Sequence, residues 1–344
     1  MNYQAEVNNL VDGAAKPVNS LGLLEKIFKK MLLAWGTRHP EIKPYHLIFA
    51  ADNGVIEEGV ATCPEEITYL QAQNMVEGRA TISCFCQANN VPFSVIDIGI
   101  NNKKIAGINR RVVSGTKNFM KEEAMTLAEF EQAWRVGEEM ASYAIDTQGA
   151  NLVSFGEMGI GNTTTSSAVL HAMTGILPEF VVGYGASGPV NEILKRKCVV
   201  VAKGVERHRE SFRSIEDILR CVGGLDIVAI CAAMIECAKR KTPFVIDGFI
   251  TAVAFACASR INKKVEHCGL PSHMSKEPGM SYAMLLGNIL ADDIPIRANM
   301  ALGEGTGAIL MVAMLKTMTY TMYNMAKLSD FELSTPEPQQ VAGM

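Results

Sequence analysis

Apolar positions along the chain follow two periods. Near the start Leu21, Leu24, Ile27, Phe28, Met31 and Leu32 recur three or four apart, so residues 1–36 read as helical around a loop at Lys16–Ser20, with Asn19 or Ser20 as the cap. Tyr45–Ala51 is a short continuous apolar run that ends at Asp52-Asn53-Gly54, the form of a buried strand. Pro92–Ile98 repeats that form and stops at Asp97 and Gly99. Asn151–Phe155 and Phe244–Gly248 are two further strands, and Lys264–Leu270 a weaker one that ends near Ser272 and His273. Helical stretches at 65–87, 125–146, 220–237 and 251–259 separate them, and Thr126 can cap the second. Gly303–Met322 opens on a glycine turn and becomes an apolar helix.

Strands alternating with helices predict an α/β fold, a Rossmann-like parallel sheet flanked by helices. The terminal segments fit no sheet position. They predict a small helical lobe of residues 1–40 with 310–344, beside a large α/β domain at 41–309, with the tail from Ser329 poorly ordered at its end. Ligands of such sheets bind beyond the carboxyl ends of the strands. Asp52, Asp97, Glu157, Asp247 and Ser272 all stand at or just after such ends, which predicts one shared pocket.

The chemistry concentrates in four stretches. Val153–Leu170 (VSFGEMGIGNTTTSSAVL) is strand, glycine turn and helix start, an arrangement that offers free backbone N–H groups to an anion. Glu157 would repel a phosphate there, which directs it to a sugar or reacting base; a tight turn with no ligand fits the local pattern equally well. LGEGTG at 302–307 sets Glu304 between glycines. Under apolar cover such a carboxyl becomes a general base near neutral pH; without it, Glu304 is a residue favoured by a helix dipole. Val182–Gly188 carries Gly183, Gly185 and Gly188 at phosphate-cradle spacing, with Lys197 farther along, but lacks the acidic residue of a dinucleotide site. PSHMSKEPG at 271–279 gathers Ser272, His273 and Lys276, yet no G-x-S-x-G elbow exists, so His273 reads as structural or a polar contact.

Composition narrows the classes. With 48% apolar and 20% charged residues and a net charge of −4, no basic field is available for nucleic acid. No secretory h-region opens the chain, and the longest apolar stretches are too short to span a bilayer, so a cytoplasmic protein with no membrane partner is expected. The nine cysteines show no CxxC pair and read as buried or partly buried thiols; no metal site and no cofactor are predicted.

In order along the chain, GEMGIGNTT, VGGLDIVA, IDGFIT, SHMSKEPG and LGEGTGA resemble the motifs of the nicotinate-nucleotide:dimethylbenzimidazole phosphoribosyltransferase family. KPVNSLGLLE resembles that family's KPPGSLGRLE, and AADNGVIEEGV its ADHGV-x-x-EGV, so the likeness runs from about residue 16 to about 325. The resemblance implies transfer of phosphoribose from nicotinate mononucleotide to a cobamide lower-ligand base, with inversion at the anomeric carbon. It implies Glu304 as general base and Glu157 as the second catalytic carboxylate. It implies phosphoribose binding by Gly159, Gly161, Asn162, Thr163, Gly183, Gly185 and Lys197, and an acceptor pocket with Cys63, Gln71, Asn53 and Ser272. The implied assembly is a homodimer, or a heterodimer with a paralogous subunit.

Departures fall near the acceptor. Asn53 stands for the family's histidine, Arg79 for a glycine, Val18-Asn19 for Pro-Gly, and Cys63 for a serine before Pro64, while Gln71 is kept. Dimethylbenzimidazole or a related base is the leading acceptor. Relatives also take adenine, phenol or p-cresol, and a phenolic acceptor giving an α-O-glycoside is the alternative. Two rivals of other classes remain: a dinucleotide oxidoreductase, and a non-catalytic subunit that supports a paralogue.

Overall fold

The computed structural model describes residues 3–185 and 190–331. Gly188, third glycine of the predicted cradle, and the tail beyond 331 lie outside the described residues. The described residues form one six-stranded sheet: β1 Pro44–Ala51, β2 Phe93–Gly99, β3 Ile108–Asn109, β4 Leu152–Met158, β5 Phe244–Ile246 and β6 Gly269–Pro271. Their order is β3-β2-β1-β4-β5-β6, and every pairing is parallel. This is the expected Rossmann-like sheet. β1 reads as an unbroken apolar run because both of its faces are covered. Leu47 and Phe49 join one apolar cluster, while Ile48 and Ala50 join the other.

The first cluster packs helices Leu127–Ser142, Leu225–Lys239 and Phe249–Ile261 against one face, where Phe155, Phe244 and Phe255 stack edge to face. The second cluster holds helices Tyr3–Asp12, Leu23–Trp35 and Thr306–Asn324 on the other face, together with Ile48, Ala50, Val245 and Leu270. The terminal segments thus pack on each other and share this core with the sheet.

Several predicted elements divide. Residues 1–36 form two helices separated by the 13–22 loop, and 65–87 forms Glu66–Val76 and Thr81–Ala88, parted by a turn at Gly78 with φ 76°. Arg220–Cys237 splits at Gly223-Gly224 into Ile215–Val222 and Leu225–Lys239. Lys264–Leu270 is mostly a helical turn, Val265–Cys268, with the strand confined to Gly269–Pro271. Strand β3 escaped sequence reading because two residues carry no period. Thr126 caps its helix as expected, in a reciprocal capping box with Glu129. All nine cysteines are free, and Cys84 departs from expectation by being exposed. Among the described residues no helix is long and apolar enough to cross a membrane.

The 13–22 loop is tied down by charge. Lys16 Nζ lies 2.8 Å from Glu25 Oε1, and both side chains are nearly buried. The same oxygen accepts the Leu21 N–H at 2.9 Å. Removing one partner of a buried pair strands the other charge, which costs about 3–5 kcal/mol. Lys16→Met should therefore lower unfolding free energy by about 3 kcal/mol in urea titrations, and the double Lys16→Met/Glu25→Leu variant by clearly less.

Candidate active site

The chain leaves β1 toward β2 and β3, and leaves β4 in the opposite direction toward β5 and β6. Such a reversal opens a crevice beyond the carboxyl ends of the two central strands. A cavity of about 270 Å³ occupies it. Its walls come from the ends of four strands and the segments that follow them: Val60, Ala61, Cys63 and Gln71 after β1, Glu157–Thr163 from the end of β4, Gly248–Thr251 after β5, and His273, Ser275 and Glu277 after β6. Ala301–Glu304 closes the remaining side.

Glu304 is held in an unfavourable shape. Gly303, Glu304 and Gly305 have φ of 81°, 63° and 95°, three successive left-handed residues of which only the glycines tolerate it freely. A non-glycine residue there costs on the order of 1–3 kcal/mol, so its surroundings must enforce it. They do so at every backbone group. His46 Nε2 lies 3.1 Å from the Glu304 carbonyl oxygen, and His46 Nδ1 lies 2.8 Å from Ser154 Oγ. A carbonyl only accepts, so Nε2 carries the proton and Nδ1 accepts from the serine. Burial pushes the His46 pKa down to about 4, which keeps the ring neutral in this role. The Glu304 N–H donates to Glu157 Oε1 at 3.4 Å. Asp247 accepts the N–H of Gly305 at 3.1 Å and of Ala308 at 2.9 Å, capping the helix Thr306–Asn324 from the end of β5.

β4 also sets the loop by contact. Gly156 lies so close that a Cβ there would penetrate the Glu304 carbonyl oxygen. The Glu304 side chain is 5% exposed and lines the cavity. Gln71 Nε2 donates to its Oε1 at 2.7 Å, while Oε2 is buried with no hydrogen-bond partner. Burial raises the Glu304 pKa above its ordinary 4.5, opposed by the Gln71 contact and the Ile82 N–H at the start of helix Thr81–Ala88.

A second carboxyl meets it. Glu157 is buried, and burial with the nearby Asp226 pushes its pKa up to about 8. Asn162 Nδ2 bridges the two acids, donating to Glu157 Oε2 and, at 3.1 Å, to Asp226 Oδ2. Burial likewise raises Asp226, to about 6. Electron-poor partners are thus favoured here.

Donors that suit an anion start beside these acids and extend to Lys197. Helix Asn162–Thr174 starts behind Gly161, whose φ is 94°, and helix Phe249–Ile261 starts at Gly248; both N-termini line the cavity. Lys197 Nζ is buried, donating to Thr163 Oγ1 at 3.1 Å and to the carbonyls of Gly183 at 3.3 Å and Tyr184 at 3.1 Å. Burial lowers its pKa, and the charge of Glu277 opposes that shift.

The structure brings Glu304, Glu157, Gly159, Gly161, Asn162, Thr163, Gly185, Lys197, Cys63 and Gln71 to this cavity. Gly183 stands behind it and turns its carbonyl, not its N–H, to Lys197. Asn53 and Ser272 are not among the lining residues. Asn53 lies beneath the Gly159–Gly161 turn, donating to the Ile160 carbonyl at 3.4 Å, and Ser272 donates to the Asp247 carbonyl at 3.1 Å. Of the five strand-end residues, Glu157 and Asp247 reach the cavity. Asp52 accepts the Asn101 N–H from the segment after β2, and Asp97 pairs with Arg111 in the segment after its own strand. Arg79 is exposed and pairs with Glu77. His273 is buried against Ser272 and Asp247, a polar contact as expected. Sequence reasoning missed His46, Asp226 and Glu277. A histidine inside an apolar strand was the one local signal for the first; Glu277 sat in a stretch read for its serine, histidine and lysine. Among the described residues no cluster of His, Cys, Asp or Glu is arranged to hold a metal ion.

Fold and site define a doubly wound α/β protein whose switch-point cavity sets buried acids beside two helix N-termini and a buried lysine. The DBI_PRT family model, described as a phosphoribosyltransferase, matches residues 1–332, and the chain belongs to this phosphoribosyltransferase family. A nicotinate-nucleotide–dimethylbenzimidazole phosphoribosyltransferase of Clostridium perfringens is 38% identical over 328 residues, 94% of this chain and 90% of its own length. One of the same name from Vibrio vulnificus is 37% identical over 335 residues, 94% and 96% of the two chains. The crystal structure of CobT from Thermus thermophilus matches with a TM-score of 0.89 at 32% identity, over 98% of this chain and 100% of that one.

Gly156→Ala should force β4 and the Glu304 loop apart. Overpacking of this kind costs about 1–3 kcal/mol. We expect a lower urea midpoint and loss of most transferase activity; unchanged values for both would refute the contact as the loop's support.

Proposed function

We propose that the chain moves phosphoribose from nicotinate mononucleotide to a ring nitrogen of dimethylbenzimidazole or a related base, giving an α-ribazole 5'-phosphate-type product and nicotinate. The observation that carries this reading is the Glu304 carboxyl: cavity-lining, one oxygen fixed by Gln71, the other buried without a partner. A carboxyl oxygen left without a partner at the cavity wall is a candidate acceptor for the proton of an azole N–H.

The bond changes are these. The acceptor nitrogen attacks the anomeric carbon from the face opposite nicotinate. The bond from that carbon to the pyridinium nitrogen breaks, and its electron pair neutralises the ring as nicotinate leaves. The ring N–H proton of the acceptor passes to Glu304. The pyridinium is already a good leaving group, so acid catalysis is not needed. Glu157 is largely protonated near neutral pH in the empty site, and a docked cation favours its carboxylate. As a carboxylate it stabilises the positive charge that develops on the sugar. The phosphate docks on the Gly159–Thr163 turn, the N–H of Gly185 and Lys197, which fixes the anomeric carbon at attacking distance. Cys63 and Gln71 line the acceptor side, while Asn53 supports the Gly159–Gly161 turn from behind and Ser272 supports Asp247.

The acceptor in the relatives' names favours a benzimidazole over the phenolic alternative. Retention of both glutamates in one cavity argues against a non-catalytic subunit. A dimer, of two copies or with a paralogue, belongs to the same reading; the homodimer is expected at twice the chain mass of 37.3 kDa in native mass spectrometry.

Chromatography of nicotinate released from the donor tests the function directly, with dimethylbenzimidazole, adenine, phenol and p-cresol supplied separately. Release with dimethylbenzimidazole is expected to be fastest; preference for phenols would overturn the acceptor, and no release with any acceptor would overturn the reaction. Glu304→Gln should lose roughly 10²–10⁴-fold in kcat/KM. The ionised base is the active form, so kcat/KM should rise with pH through an acid limb above 4.5, and Glu304→Gln should lose that limb.

A further inference from the structure

Glu277 is a buried carboxyl that this chemistry does not use. It is 8% exposed and lines the cavity beside Gly185, Thr163 and Lys197. Its Oε1 accepts the Gly185 N–H at 3.0 Å, and its Oε2 is buried with no hydrogen-bond partner. Gly185 has φ 56°, a left-handed conformation that turns its N–H into the cradle. Lys197 is the charged group that acts on Glu277, and its own hydrogen bonds go to a hydroxyl and two carbonyls. One anion and one buried cation therefore already share this end of the cavity.

A phosphate monoester needs two things found beside Glu277, the glycine N–H that Glu277 occupies and the ammonium whose charge acts on it. It also brings about two negative charges against a fixed third, so the carboxylate must yield. Resting on the reading that the donor's phosphate docks beside Lys197, we propose that Glu277 is an internal stand-in for that phosphate. It keeps Gly185 and Lys197 arranged in the empty site and surrenders the Gly185 N–H when phosphate arrives. Burial raises the Glu277 pKa, opposed only by the Gly185 N–H and Lys197. The contacts that sustain its charge are thus the ones a phosphate takes over. Glu277 is a positioning residue: it sets donor affinity and takes no part at the anomeric carbon.

The test uses inorganic phosphate as probe, titrated by calorimetry into the unsubstituted chain and into Glu277→Gln. The amide keeps an acceptor for Gly185 and removes the charge. Phosphate should bind roughly tenfold more tightly to Glu277→Gln, and the KM for nicotinate mononucleotide should fall by more than kcat changes. Equal or weaker phosphate binding overturns the proposal. Crystals of the unsubstituted chain soaked in inorganic phosphate give a measurement that needs no variant. A phosphate oxygen on the Gly185 N–H with Glu277 withdrawn is expected; phosphate seated with the Glu277–Gly185 bond intact, or seated elsewhere, overturns it. Nicotinate release by the unsubstituted chain separates the two readings. Its absence defeats the transferase reading, whereas release with unaltered phosphate affinity in Glu277→Gln defeats the stand-in alone.

Discussion

The left-handed turn at Glu304 is the constraint on which the site depends. A glutamate does not adopt φ 63° unaided, and within the 302–307 stretch the support comes from Thr306, whose N–H and hydroxyl donate to the Gly303 carbonyl at 3.1 and 2.9 Å. Support arrives from three strands at once: His46 in β1 grips the carbonyl, Gly156 in β4 gives it room, and Asp247 at the end of β5 caps the helix that follows. The three strands are therefore also the frame of the Glu304 turn.

Opposite electrostatic demands meet around that cavity. Glu157 and Asp247 in its wall and Asp226 behind Asn162 are buried, and their charges are expensive without a cation. Beside them, two helix N-termini and Lys197 offer donors to an anion. A pyridinium nucleotide carries both charges, a cation at the anomeric carbon and an anion at the phosphate. The empty site meets each need provisionally, by protonating Glu157 near neutral pH and by setting Glu277 against Gly185.

The departures near the acceptor divide along the same geometry. Cys63 and Gln71 reach the cavity wall. Asn53 works through the backbone of the glycine turn, and Arg79 faces solvent with Glu77.

What the sequence determined by itself was local. Continuous apolar runs marked β1, β2 and β4, and glycine spacing marked the turn before Asn162 and the setting of Glu304, because period and turn chemistry act over a few residues. It also marked Glu157 and Lys197 as candidates. The tertiary structure decided which acids share a cavity: Asp247 enters it while Asp52 and Asp97, at matching strand ends, both brace the segment after β2. It alone revealed His46, whose contact with Glu304 spans 258 residues, and Glu277, whose contact with Gly185 spans 92. The reason is physical. A strand end fixes where a side chain begins, but burial, proton affinity and hydrogen-bond partners are properties of what the fold sets beside it.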